Sequence, residues 1–154
     1  MMSPRRVPQA LLGGALAAIL GGQDFARAAE PPANSGAGWF TREQAGRGRV
    51  QFRTQCASCH ADNLAGIGPA PPLAGSAFLS KWSASSVFDL FERMRTTMPQ
   101  NAPQSLDAAT YADIAAFILR ANNFPVGDAE LPTDAEKLRK MPMSGAAPQT
   151  GAVP

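Results

Sequence analysis

The sequence predicts an all-α domain of three main helices with loops wrapped between them. Two observations carry that expectation. Apolar residues recur at three- and four-residue spacing through Val87, Leu90, Phe91 and Met94, and again through Tyr111, Ile114, Ala115 and Ile118, which is the period of an amphipathic helix. Around these stripes the chain carries proline- and glycine-rich runs, and no strand pattern flanks its most distinctive stretch, Cys56-Ala57-Ser58-Cys59-His60. A chain of 154 residues has room for one domain.

The first helix is expected from about Arg42 up to that stretch, because Thr41 and Gln44 form the pattern of a capping box. Glycines 46 and 48 weaken a helix unless a close contact needs the missing side chain. Gly48 and Phe52 are four apart, share a face and mark a tight crossing with another helix. The arginines at 42, 47, 49 and 53 read as a solvated face. Residues 61–75 hold Gly66, Gly68, Pro69, Pro71 and Pro72, a run in which no regular element is expected.

A second helix is predicted from about Ser86 to Thr96. Ser86 and Asp89 cap it, Arg93 and Arg95 favour the negative end of its dipole, and Pro99 ends it. Asp107 is the expected N-cap of the third helix, whose stripe Phe117 and Leu119 widen. Beyond it, residues 126–154 read as a C-terminal extension. Thr133 and Glu136 cap a short helix there, and the stretch from Met141 onward is expected to hold no core residue and to be disordered.

The N-terminal segment reads as a signal for export. Arg5 and Arg6 precede an apolar run from Leu11 to Gly22, and Ala26-Arg27-Ala28 has the small-x-small form of a cleavage site. Residues 1–28 are thus expected to be a signal peptide cleaved near Ala28, residues 29–39 a leader, and residues 40–125 the functional domain. The apolar run is too short to span a bilayer, so the mature chain is expected to have no membrane span and to be periplasmic. Removing Arg5, Arg6, Arg27 and Asp24 from fourteen basic and twelve acidic side chains leaves eleven of each. That balance argues against nucleic acid as a partner.

Cys56-x-x-Cys59-His60 is the attachment pattern of a c-type haem. Two thiols at this spacing can each form a thioether to one edge of a porphyrin, with the adjacent imidazole under the iron as an axial ligand. The motif uses both cysteines and the single histidine of the chain. A zinc site would need further ligands that the sequence lacks. The cofactor expected is therefore one covalent haem c, with its iron. The proline-rich loop after the motif is expected to lie along one haem face and offer a carbonyl to the other nitrogen of His60. Leu73, Phe78 and Trp82 are expected core and haem-pocket residues.

With one histidine, the sixth ligand must be of another kind. Outside the expected signal peptide the methionines are 94, 98, 141 and 143. Met94 falls on a buried helical stripe and reads as core filler, while Met141 and Met143 fall in the tail. Met98, past a helix end and stiffened by Pro99, is the expected ligand, a thioether that raises the potential.

These residues resemble a class I cytochrome c: the haem motif, Pro71-Pro72-Leu73-Ala74-Gly75 and Met98-Pro99 follow in that family's order over about residues 40–122. The resemblance implies that Cys56 and Cys59 attach the haem, that His60 and Met98 ligate iron, and that Pro71 supplies the carbonyl to His60, with Pro72 left as the alternative. It also implies that Gly48 and Phe52 cross against Tyr111 and its neighbours. A narrower resemblance runs through Arg95 to Pro99, Tyr111 to Leu119, Asn122 and Phe124-Pro125. It is similar to cytochromes associated with PQQ-dependent alcohol dehydrogenases.

The function expected is one-electron carriage and not an enzyme activity. The resemblance implies a PQQ-dependent dehydrogenase as donor and a terminal oxidase or another cytochrome as acceptor. Two alternatives are an electron-transfer or docking subunit held in a dehydrogenase complex, and a haem enzyme or gas-binding protein with an open sixth position.

Overall fold

The computed structural model describes residues 38–145. The expected signal peptide, most of the leader and residues 146–154 lie outside the described residues. Six helices and a closing 3-10 turn carry the fold: α1 (Arg42–Gln55), α2 (Ala57–His60), α3 (Ser76–Trp82), α4 (Val87–Thr97), α5 (Ala108–Ala121), α6 (Ala135–Arg139) and the turn Met143–Gly145. Among the described residues the extended pairings are two isolated bridges, Phe40 with Val126 and Ser86 with Pro142. This is the small all-α arrangement that the sequence predicts. No helix among the described residues is long and apolar enough to cross a membrane.

The caps explain where the helices begin. The Thr41 hydroxyl accepts the Gln44 N–H at 3.0 Å, but the expected return half of that box is not made. The Gln44 side chain is buried. It accepts the Leu131 N–H at 2.6 Å and donates to the Leu131 carbonyl at 3.2 Å. A buried amide with two main-chain partners is satisfied across the fold, which a cap at the solvent edge cannot offer. Ser86 and Asp89 do form both halves of their box, and the Asp107 carboxylate accepts the Thr110 N–H at 2.8 Å to start α5. The cap of α6 is Asp134, one residue after the expected Thr133.

The central contact is the crossing of α1 and α5. A Cβ at Gly48 would overlap the Asp113 carbonyl and approach the Ile114 nitrogen to 3.0 Å, so the helices meet main chain to main chain there. Phe52 packs on Phe117 with ring centroids 5.2 Å apart. The crossing thus centres on Asp113, Ile114 and Phe117, while Tyr111 stands edge-on to Phe91 at 6.5 Å. Gly46 has nothing within 4 Å and serves no such contact. Arg47, expected on a solvated face, reaches both Asp113 and Glu130 at 2.9 Å and ties α1 to α5 and to the extension.

The extension contributes to the core. Leu131, Leu138 and Met143 are all buried. Met143 corrects the expectation that nothing past Lys140 belongs to the core. The Met143 N–H donates to Ser85 and the Val87 N–H to Met141, each at 2.9 Å. These bonds pin the tail beside the start of α4 and carry the Met143 side chain inward. At the other end of the domain the Trp39 N–H donates to Pro125 at 2.9 Å and the Gly127 N–H to Phe40 at 2.8 Å.

Candidate functional site

The haem motif occupies a single turn. α1 closes as the Cys56 N–H donates to Phe52 at 2.8 Å, and the N–H groups of Cys59 and His60 both return to the Cys56 carbonyl, at 3.1 and 2.9 Å. Both thiols and the imidazole are therefore presented by α2 and its N-cap residue Cys56. The following loop folds back on that turn: the Gly66 N–H donates to His60 at 3.0 Å and the Ile67 N–H to Cys59 at 2.9 Å. Gly66 sits at φ +80°, and a Cβ there would overlap the Ala70 carbonyl, so the reversal needs glycine.

That reversal brings the Pro71 carbonyl to 3.0 Å from His60 Nδ1. The atom that meets the imidazole thus belongs to Pro71 and not to Pro72. A carbonyl can only accept, so Nδ1 carries the hydrogen and donates it, leaving the Nε2 lone pair for another partner. His60 is buried, at only 7% exposed.

The turn forms one wall of a cavity of about 1080 Å³. Seven of the residues expected at the site line it: Cys56, Cys59 and His60 from the motif, Pro71 and Leu73 from the loop, Trp82 from the end of α3, and Met98 from the end of α4. Phe78 is buried core and does not line it. Met94, expected as core filler, lines the cavity as well, one helical turn before Met98. The lining includes one lysine and one arginine, Lys81 and Arg93, and no carboxylate. Burial, and after it the neighbouring Cys59, push the Cys56 thiol up to about 11, so that thiol is neutral at physiological pH.

The residues fit a covalently attached haem. Protein interiors close to crystal-like density and leave few voids larger than a water molecule. A cavity at the upper end of the roughly 300–1,000 Å³ of ligand sites calls for a large, mostly apolar occupant. Two thiols and an imidazole with a free lone pair, all on one wall, are the donor set for haem c. Among the described residues no group of three or more His, Cys, Asp or Glu side chains suits a separate metal ion.

Residues 43–118, just under half of the chain, match the family model described as cytochrome c oxidase, cbb3-type, subunit III. Over these residues the chain is similar to a c-type cytochrome domain. The domain binds haem c covalently through the cysteine pair. A solved chain of the sulfane dehydrogenase SoxCD from Paracoccus pantotrophus is similar, at 24% identity and a TM-score of 0.47. That similarity covers 69% of this chain and 57% of the solved one, so this chain spans less than two thirds of that length. No curated protein matches the sequence.

Three parts of the cytochrome domain's site were not read from the sequence. The Tyr111 hydroxyl, counted only as part of an apolar stripe, reaches the loop of Met98. Asn122, noted only within a family resemblance, holds the loop of Pro71. Helix α3 follows a proline–glycine run and starts at Gly75 with no side-chain cap, which hid it. The i, i+4 spacing of Met94 and Met98 was the signal that both face one way.

Proposed function

We propose that the chain is an exported mono-haem electron carrier in which His60 and Met98 are the axial ligands. The observation that carries this reading is the 3.0 Å bond between His60 Nδ1 and the Pro71 carbonyl. It fixes the tautomer whose Nε2 is free to ligate iron and raises the basicity of the ring. The haem iron supplies one-electron oxidation and reduction when bound.

The chain's own residues hold and shield that group. Cys56 and Cys59 anchor it, His60 and Met98 fill the axial positions, and Leu73 and Trp82 contribute apolar wall. Lys81 and Arg93 are the cations on the wall suited to the two propionates. No second histidine and no carboxylate lines the cavity to act as a general acid or base, which favours electron carriage over peroxide or substrate chemistry. The signal-like pattern of residues 1–28 supports export to the periplasm. The likeness of residues 95–99 and 111–125 to cytochromes associated with PQQ-dependent alcohol dehydrogenases supports such an enzyme as donor. A terminal oxidase or a second cytochrome then accepts the electron.

Stopped-flow mixing of the oxidised holoprotein with a substrate-reduced PQQ alcohol dehydrogenase tests the assignment. Rapid stoichiometric reduction, with no spectral change on adding carbon monoxide to the reduced protein, is the expected result. Carbon monoxide binding to the native protein overturns the six-coordinate carrier. A failure of reduction by that donor alone removes only the donor.

A further inference from the structure

We propose that Asn122 is a positioning residue for His60, acting through the loop that carries Pro71. The inference rests on His60 being an iron ligand and adds what holds its hydrogen-bond acceptor in place. Pro71 and Pro72 have no N–H of their own, so neither can tie that part of the loop down by donating a hydrogen bond. The tethers fall on the residues just after them. The Leu73 N–H donates to the Leu64 carbonyl at 2.8 Å. Asn122 makes the rest: its Nδ2 donates to the Leu73 carbonyl at 2.9 Å, and its Oδ1 accepts the Gly75 N–H at 2.9 Å.

Asn122 is itself rigidly placed. It caps the C-terminus of α5, where Nδ2 also donates to the Ile118 carbonyl at 2.8 Å. Its side chain is only 2% exposed, and no buried side-chain polar atom among the described residues lacks a partner. A buried amide with all its bonds made to main chain is costly to move, because opening one bond leaves a desolvated group unpaired. The most distant tether is four residues from Pro71, so the carbonyl on His60 Nδ1 is held by α5 through a short, stiff path. Loosening Asn122 should let the carbonyl withdraw and weaken its bond to the imidazole.

The single histidine makes the test specific, because 15N-histidine labelling of the holoprotein reports one imidazole. In the ferric protein, large paramagnetic shifts of the ring nitrogens are expected, and their absence would remove His60 as ligand and this inference with it. Given those shifts, Asn122→Ala should speed solvent exchange of the Nδ1 hydrogen by roughly tenfold and move the ring 15N shifts, with the haem still covalently bound. Asn122→Asp keeps the acceptor for Gly75 but loses the donor to Leu73, and should move the same signals. Unchanged His60 signals in both variants overturn the proposal and leave ligation intact. If neither variant folds, exchange in the unmodified protein decides. The His60 Nδ1 hydrogen and the Gly75 amide should then open together with one protection factor, and independent exchange of the imidazole overturns the role of Asn122.

Discussion

The Tyr111 hydroxyl donates a 2.6 Å hydrogen bond to the main-chain carbonyl of Met98. Tyr111 is buried in the first turns of α5, and Met98 ends α4 with its own N–H bonded to Met94 at 2.8 Å. The residue proposed as sixth ligand is therefore held at its backbone by two helices, one on each side.

Tyr111→Phe removes the hydroxyl and leaves the Met98 carbonyl without that partner. The variant should keep covalent haem and lose about 1 kcal/mol of stability in denaturant melts. It should also bind added imidazole faster than the parent, because the loop of Met98 can lift away more often. Equal imidazole rates would mean that the hydroxyl packs without guiding the ligand loop.

Met94 and Met98 both line the cavity, and a pair of variants separates them. Met98→Ala should abolish the weak long-wavelength ferric band of sulfur–iron ligation, lower the potential and admit cyanide readily. Met94→Ala should keep the band and lose only packing. The reverse pattern in the two spectra would transfer the ligand role to Met94.

The two glycines of α1 should respond in opposite directions. Gly48→Ala places a methyl group on the Asp113 carbonyl and should cost about 1–3 kcal/mol as the α1–α5 crossing is forced apart. Gly46→Ala meets nothing within 4 Å and should gain about 0.5–1 kcal/mol from reduced backbone freedom in the unfolded chain. Thermal melts of the two holoproteins check both signs, and a stabilised Gly48→Ala would refute the close crossing.

The Asp107 cap predicts an acid-side slope. The Thr110 N–H, and then the Thr110 hydroxyl, hold the Asp107 carboxyl below the usual carboxylate range. A depressed folded value means that the contribution is complete above the ordinary value of about 3.9 and is lost as pH falls through the folded one. Asp107→Asn keeps a cap acceptor without the charge. Its melting temperature should lie below the parent's near neutrality, depend less steeply on pH below about 4, and converge with the parent's as the Asp107 carboxyl is protonated. Parallel pH profiles would show that the cap carries no proton linkage.

Residues whose roles are local or compositional were legible in the sequence. The haem turn, the Ser86–Asp89 and Asp107 caps and the apolar stripes of α4 and α5 follow from spacing alone, and the structure places them as expected. Gly48 announced a close approach, although nothing in its own helix named Asp113 as the neighbour. Residues whose roles depend on a distant partner were misread. Gln44 looked like a cap because its nearest donors are local, yet it pairs with Leu131, 87 positions away. Met143 looked like tail because it opens a run of Ser, Gly, Ala and Pro, and the bonds from its N–H to Ser85 and from the Val87 N–H to Met141 turn it inward. Asn122 carries no periodic signal at all, since its task is to join a helix end to a loop 47 and 49 residues earlier.

The paired segments around Phe40 and Val126 bear on how this domain is used. The chain at Trp39–Phe40 runs beside Pro125–Gly127, joined by two main-chain hydrogen bonds, and none of these residues lines the haem cavity. Past that clamp the chain goes on to bury Leu131, Leu138 and Met143. A truncation or fusion junction placed directly after Gly127 would therefore strip side chains from the core, whereas one placed beyond residue 145 would spare them.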